Sequence, residues 1–117
     1  MENKNHPWVL RSDVVEEPVA PGVIRTVLAY CDNIMAVENR FEEGAIGALH
    51  SHPHTQLTYI LSGKFKFTIG DESRIVAAGD TLLKRNEVIH GCYCIERGAL
   101  LDVFTPMRDD FVKNVNS

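Results

Sequence analysis

The sequence predicts an all-β, antiparallel domain, and three observations carry the prediction. Strand-like runs follow one another from residue 23 to residue 104, the connections between them are short and rich in Gly, Asp and Asn, and only the tail has a helical pattern. At 117 residues the chain is long enough for one sizeable core and too short for several.

Residues 1–20 are polar, contain Pro7 and Pro18, and are predicted to form an N-terminal arm whose only sticky part is Trp8, Val9 and Leu10. The barrel domain is then residues 21–117. Its expected strands are VIRTVLAY (23–30), IMAVENRF (34–41), QLTYILS (56–62), KFKFTI (64–69), SRIVAA (73–78), TLLK (81–84), IHGCYCI (89–95) and ALLDVF (99–104), with CDN, EEG, SG, GDE, GD and ERG as turns. KFKFTI alternates strictly, with Phe65, Phe67 and Ile69 on one face and Lys64, Lys66 and Thr68 on the other. That is the mark of a half-buried antiparallel strand. Phe65, Phe67 and Tyr59 are expected to line the interior. PMRDDFVKNV, with Pro106 near its start, predicts a short C-terminal helical turn.

Composition narrows the class of function. A formal net charge of −4 and the lack of a basic stripe argue against nucleic acid. No apolar run approaches bilayer-spanning length, which argues against a membrane protein. The first residues, MENKNHPWVL, lack the apolar core of a signal peptide, so a cytoplasmic location is expected. Cys92 and Cys94, two apart on one strand, are poorly placed to bridge each other, and reduced thiols fit that compartment.

The informative stretch is HSHPHTQLTYILSG (50–63), which holds three of the five histidines. On a strand, His50 and His52 share a face, and His54 and Gln56 join them if Pro53 does not interrupt it, His54 being the one whose direction Pro53 affects most. His90 opens a second even-numbered set with Cys92 and Cys94. If the barrel sets these strands opposite each other, His50, His52 and His90 converge, and with the Gln56 oxygen they suit one first-row divalent ion with open positions. Cys92 and Cys94 are either soft ligands or, more in keeping with their spacing, small buried wall residues.

Gly44, His50, His52, Gln56 and Gly63 resemble the first cupin motif, with glutamine in place of the usual glutamate. Gly79 and His90 match the ends of the second, while Arg85 and Glu87 stand where that motif has proline and glycine. HSHPHTQLTYILSG together with LLDVFTPMRDDF (100–111) resembles the KdgF-type pectin-degradation proteins, and the resemblance spans residues 22–112.

The resemblance implies a jelly-roll barrel holding one divalent ion (Ni, Zn, Mn or Fe) on His50, His52, Gln56 and His90. It implies ring opening of 4,5-unsaturated monouronates, small anionic sugar acids released from pectin or alginate, to 5-keto-4-deoxyuronate. Asp102 is then the acid/base, Arg108 grips the substrate carboxylate, Phe104 and Tyr59 shape the pocket, and the protein is a homodimer. A glutamine ligand leaves the metal site one unit more positive than glutamate, which favours an anionic substrate. Two other functions use the same ligands: a metal-dependent dioxygenase and a non-catalytic sugar-acid-binding protein. An Asp102–Arg108 salt bridge pinning the tail to the barrel is the structural alternative to catalytic roles for that pair.

Overall fold

The structure, a computed structural model, describes residues 3–116, with side chains through Val112. Eight strands follow in order: β1 (Glu16–Ala20), β2 (Val23–Cys31), β3 (Ile34–Phe41), β4 (Ile46–His50), β5 (Thr55–Ile69), β6 (Glu72–Ala77), β7 (Thr81–Lys84) and β8 (His90–Thr105). An α-helix, α1 (Asp109–Asn116), ends the described chain, as the tail pattern predicts, and a 3-10 turn lies at Arg11–Asp13. All strand pairings are antiparallel. The sheet runs β1-β2-β3-β8-β5-β6, with β4 also on β8 and β7 also on β5. The sheet is not closed into a cylinder but folds over on itself as a jelly roll.

Two expected turns are absent, and this shapes the whole interior. Ser62–Gly63 and Glu96–Gly98 are not chain reversals: each lies inside a continuous strand, 15 residues long in β5 and 16 in β8. At this corner the two backbones pass so closely that only glycine fits. A Cβ on Gly98 would overlap the Ser62 carbonyl oxygen, and one on Gly63 would lie 2.6 Å from the carbonyl oxygens of Glu96 and Arg97. The β5–β8 register slips by one residue here, at irregularities between Ile60 and Phe65.

The slip reverses the parity of β5. Before it the even residues Gln56, Thr58 and Ile60 are buried; after it the odd residues Phe65 and Phe67 are. Tyr59 therefore does not line the interior. It is odd-numbered on the even-inward half, points outward and is 42% exposed.

Folding β5 and β8 over at the corner makes one closed end and one open end. Ile60, Phe65, Cys94 and Leu100 fill the closed end with Val23, Phe41, Ala45 and Phe67. A second cluster of Val27, Tyr30, Met35, Val37 and Phe104 receives Phe111 of α1, which docks the helix on the barrel.

The first residues are less free than an arm. The strand framework starts at Glu16, paired with Thr26, inside the segment expected to be an arm. Asn3 donates to the Val27 carbonyl at 3.0 Å, and Arg11 pairs with Glu38 at 2.9 Å. Trp8 remains 79% exposed. Among the described residues no helix is long and apolar enough to cross a membrane.

Candidate functional site

Strand pairing brings the histidines together. His50 ends β4 and His90 begins β8, and the two are cross-strand partners. Their close approach depends on Gly91, where a Cβ would sit 2.7 Å from the Gly47 carbonyl oxygen. His52 lies in the short link to β5, and Gln56 is the second residue of β5. One ligand atom from each of His50, His52 and His90 falls within 4.8 Å of the others. His54 is outside this group, with its ring 5.4 Å from that of His52.

Hydrogen bonds orient the imidazoles. His50 Nδ1 lies 2.7 Å from the Ala48 carbonyl and His90 Nδ1 3.1 Å from that of Val88. A carbonyl can only accept, so each Nδ1 carries the proton and each Nε2 keeps its lone pair. His52 Nε2 donates to Gln56 Oε1 at 3.0 Å. That is a hydrogen-bond length and equally the spacing of two neighbouring ligand atoms each about 2.1 Å from one ion.

His90 Nε2 and His52 Nδ1 are buried without partners. Burial, helped by the nearby Lys84 charge, lowers the His90 pKa to about 4, and burial likewise lowers that of His52, so both rings are neutral at pH 7. Buried neutral imidazoles with unused lone pairs, next to an amide oxygen, fit a first-row divalent ion.

Gln56 faces two ways. While its oxygen meets His52, its Nε2 donates to Asp102 Oδ1 at 2.9 Å. A glutamate here would press a second carboxylate oxygen against Asp102, so the amide is needed to join the histidine cluster to the acid. Asp102, on β8, is 3% exposed. Its Oδ1 also accepts from the Thr58 hydroxyl at 2.5 Å, and its Oδ2 accepts from Asn39 Nδ2 at 2.7 Å. Behind Thr58 stands Lys84, 2% exposed, whose Nζ donates to Thr58 Oγ1 at 2.7 Å and lies 4.7 Å from the Phe67 ring. Burial lowers the Lys84 pKa and the Asp102 charge opposes the shift.

Arg108, in the link between β8 and α1, does not bind Asp102. It makes a two-pronged contact with Asp110, Nε to Oδ1 at 3.0 Å and Nη2 to Oδ2 at 2.8 Å. The guanidinium lies 4.1 Å from the centroid of the Phe111 ring and 5.3 Å from that of Phe104. The alternative of an Asp102–Arg108 pin is thus absent, because three other side chains already donate to Asp102.

One cavity of about 360 Å³ gathers His50, Gln56, Lys84, His90, Asp102, Phe104 and Arg108 in its wall. Tyr59 is not among its lining residues, for the parity reason given above. Cys92 lines it as a thiol whose pKa burial raises to about 11, and Cys94 belongs to the apolar core. Neither thiol joins the three-histidine group.

Sequence reasoning overlooked Arg25, Asn39, Thr58 and Lys84. A signal existed for three of them. Thr58 shares the parity of Gln56, Arg25 stands between Val23 and Val27, and Asn39 falls between Val37 and Phe41. Lys84 closes a four-residue run too short for parity to mean much.

The family model for the cupin domain matches residues 37–104. Over 98 residues the chain is 36% identical to the pectin degradation protein KdgF of Dickeya dadantii, covering 82% of this chain and 89% of that one. An RmlC-like cupin from Shewanella frigidimarina has the same fold with a TM-score of 0.90 at 31% identity, covering 95% of this chain and 100% of that one. KdgF from Halomonas sp. aligns with a TM-score of 0.84 at 30% identity, over 89% of this chain and 98% of that one. The chain belongs to the cupin family, as a small single-domain member similar to the KdgF pectin-degradation proteins.

Proposed function

We propose that the protein opens the ring of 4,5-unsaturated monouronates. The observation that carries this reading is the Gln56 amide, which hydrogen-bonds a histidine of the three-histidine cluster on one side and Asp102 on the other, in a cavity that Arg108 also lines. Similarity to two KdgF proteins supports it.

The substrate is a cyclic hemiacetal whose ring oxygen is attached to a C4=C5 double bond beside a carboxylate. In the reaction the anomeric hydroxyl loses its proton, C1=O forms, the C1–ring-oxygen bond breaks with its electron pair going to the ring oxygen, and C4 gains a proton. Nothing is oxidised or reduced overall. His50, His52, His90 and Gln56 would hold a divalent ion, which when bound supplies Lewis-acid stabilisation of negative charge on the substrate's oxygens.

Asp102 takes the hydroxyl proton and returns one to C4. Thr58, Gln56 and Asn39 hold its carboxylate in a fixed orientation while it does so. Arg108 receives the substrate carboxylate, for which its two-pronged geometry is suited. The ring of Phe104, against Arg108 and His52, shapes the wall beside the sugar. The test is direct: loss of the unsaturated uronate's ultraviolet absorbance with purified protein, and persistence of that absorbance when a chelator has stripped the metal beforehand. Oxygen consumption without absorbance loss would favour the dioxygenase reading instead.

The same reading includes a homodimer. On the outer face of the sheet, cross-strand pairing sets Leu83, Leu57 and Val103 in one row and Tyr59 beside Leu101 in the next, an apolar patch a second copy could cover. A monomer in light scattering at high concentration refutes it.

A further inference from the structure

Arg25 is a largely but not fully buried arginine that the proposed reaction does not use. It stands on β2 between Val23 and Val27, which belong to the two core clusters, and its side chain lines the cavity. Its side chain is 16% exposed, and its Nε–H is buried without a hydrogen-bond partner. Glu17, its cross-strand neighbour, comes only to 3.9 Å of Nη2, outside hydrogen-bond range. Native proteins rarely leave such a donor unmet, and in the wall of a cavity the missing acceptor points to a ligand.

What that ligand carries follows from the neighbours. The Arg25 guanidinium lies 3.9 Å from the centroid of the Phe111 ring, and the Arg108 guanidinium packs on the same ring at 4.1 Å. Two cations sharing one ring, with little solvent, call for an anion. Asp110 lines the same cavity, is bound by both prongs of Arg108 and interacts with Arg25 electrostatically.

We propose that Arg25 and Arg108 together form the seat for the ligand's carboxylate, and that Asp110 holds this seat in the unliganded protein. The proposal deepens the uronate reading and rests on it for the sugar part of the ligand only. Binding is then an exchange of carboxylates. The incoming group displaces Asp110 from Arg108 and gives the Arg25 Nε–H its acceptor, so Asp110 opposes affinity while Arg25 adds to it.

These opposite signs make the test. Galacturonate, a saturated monouronate with no C4=C5 double bond to react, and lactate, a carboxylate that is not a sugar, are titrated calorimetrically into the wild type, Arg25→Gln and Asp110→Asn. Melting temperatures are taken on the same samples. Arg25→Gln is expected to bind galacturonate about ten-fold or more weakly, the loss of a charge-assisted hydrogen bond. Arg25→Lys, which keeps the charge and the stem, is weakened as well, and serves if the glutamine variant does not fold. Asp110→Asn is expected to bind several-fold more tightly. Wild-type affinity in a folded Arg25 variant overturns the proposal and leaves Arg25 as a prop for Phe111. Weaker binding by Asp110→Asn overturns it too, since Asp110 would then be a support for Arg108. If lactate shows the pattern and galacturonate binds to none of the proteins, the seat stands and the uronate reading falls. If neither carboxylate binds to the wild type or to Asp110→Asn, the seat itself falls.

Discussion

The closed end of the barrel and its open end are built from the same two strands with opposite chemistry. Around the Gly63–Gly98 corner, β5 and β8 contribute Ile60, Phe65, Cys94 and Leu100, all at most 3% exposed and all apolar. Toward the open end the same strands contribute Gln56, Thr58, Asp102 and His90, none more than 5% exposed and all polar. Lys84 and His52 join them from β7 and the β4–β5 link. Burying a polar group without full compensation opposes folding, whereas burying a Phe or Ile favours it. The closed end thus stabilises the fold and the open end draws on that stability to keep a reactive group of side chains out of water.

Each substitution below should strike one end and spare the other. The largest effect is expected from His52→Ala with His90→Ala, which should abolish metal retention, measured as metal per protein after gel filtration, while the β-sheet circular-dichroism signal persists. Metal retained at the wild-type level would move the site elsewhere. Asp102→Asn comes next. It should keep metal and fold but lose about 10²- to 10⁴-fold in turnover, because the amide has the shape of the acid without its basicity. Full activity in that folded variant removes Asp102 from the mechanism.

Phe65→Ala is the counterpart at the closed end. It should cost about 3–5 kcal/mol of unfolding free energy, read from denaturant midpoints, with the metal content of the folded fraction unchanged. Loss of metal in step with stability would show that the two ends are not separable. Lys84→Met should also be costly, by about 3–5 kcal/mol, because it leaves the buried Asp102 carboxylate without its neighbouring ammonium. Turnover of the folded fraction should fall because the Thr58 hydroxyl loses the donor that orients it. Unchanged turnover in folded Lys84→Met would make Lys84 a structural residue.

The smallest effect concerns pH in the metal-free protein. The fold keeps His90 neutral, with a pKa of about 4 against the ordinary 6.5. Below 6.5 the unfolded chain takes up a proton that the folded chain refuses. Stability should therefore be full above about pH 6.5 and decline as the pH falls toward 4. Denaturant midpoints across that range should show the slope, and His90→Gln should flatten it.

Much of this was legible before any coordinates. The strand character of nearly every segment and the inward face of KFKFTI follow from period-two alternation, a property of neighbours along the chain. His50, His52 and Gln56, by contrast, meet although His52 lies in the link between β4 and β5. The resemblance to cupins placed His90 with them, and the structure brings all three rings together. What misled was Gly63. Glycine signals a turn and a crossing of backbones equally well, and only the partner strand tells which. Taking SG for a turn split β5 in two, hid its change of parity and put Tyr59 inside.

Local sequence determined what each residue could be: a strand former, a ligand type, an acid flanked by apolar neighbours. Tertiary structure alone decided which of them would meet. Asn39 and Asp102 are 63 residues apart, Thr58 and Lys84 are 26 apart, and Arg25 and Arg108 share a ring carried on a helix neither belongs to. Those encounters depend on strand order and register, and register here turns on two glycines close enough for their strands to fold over together. A one-residue slip at that corner would send Gln56 and Thr58 to the solvent face without altering any local propensity.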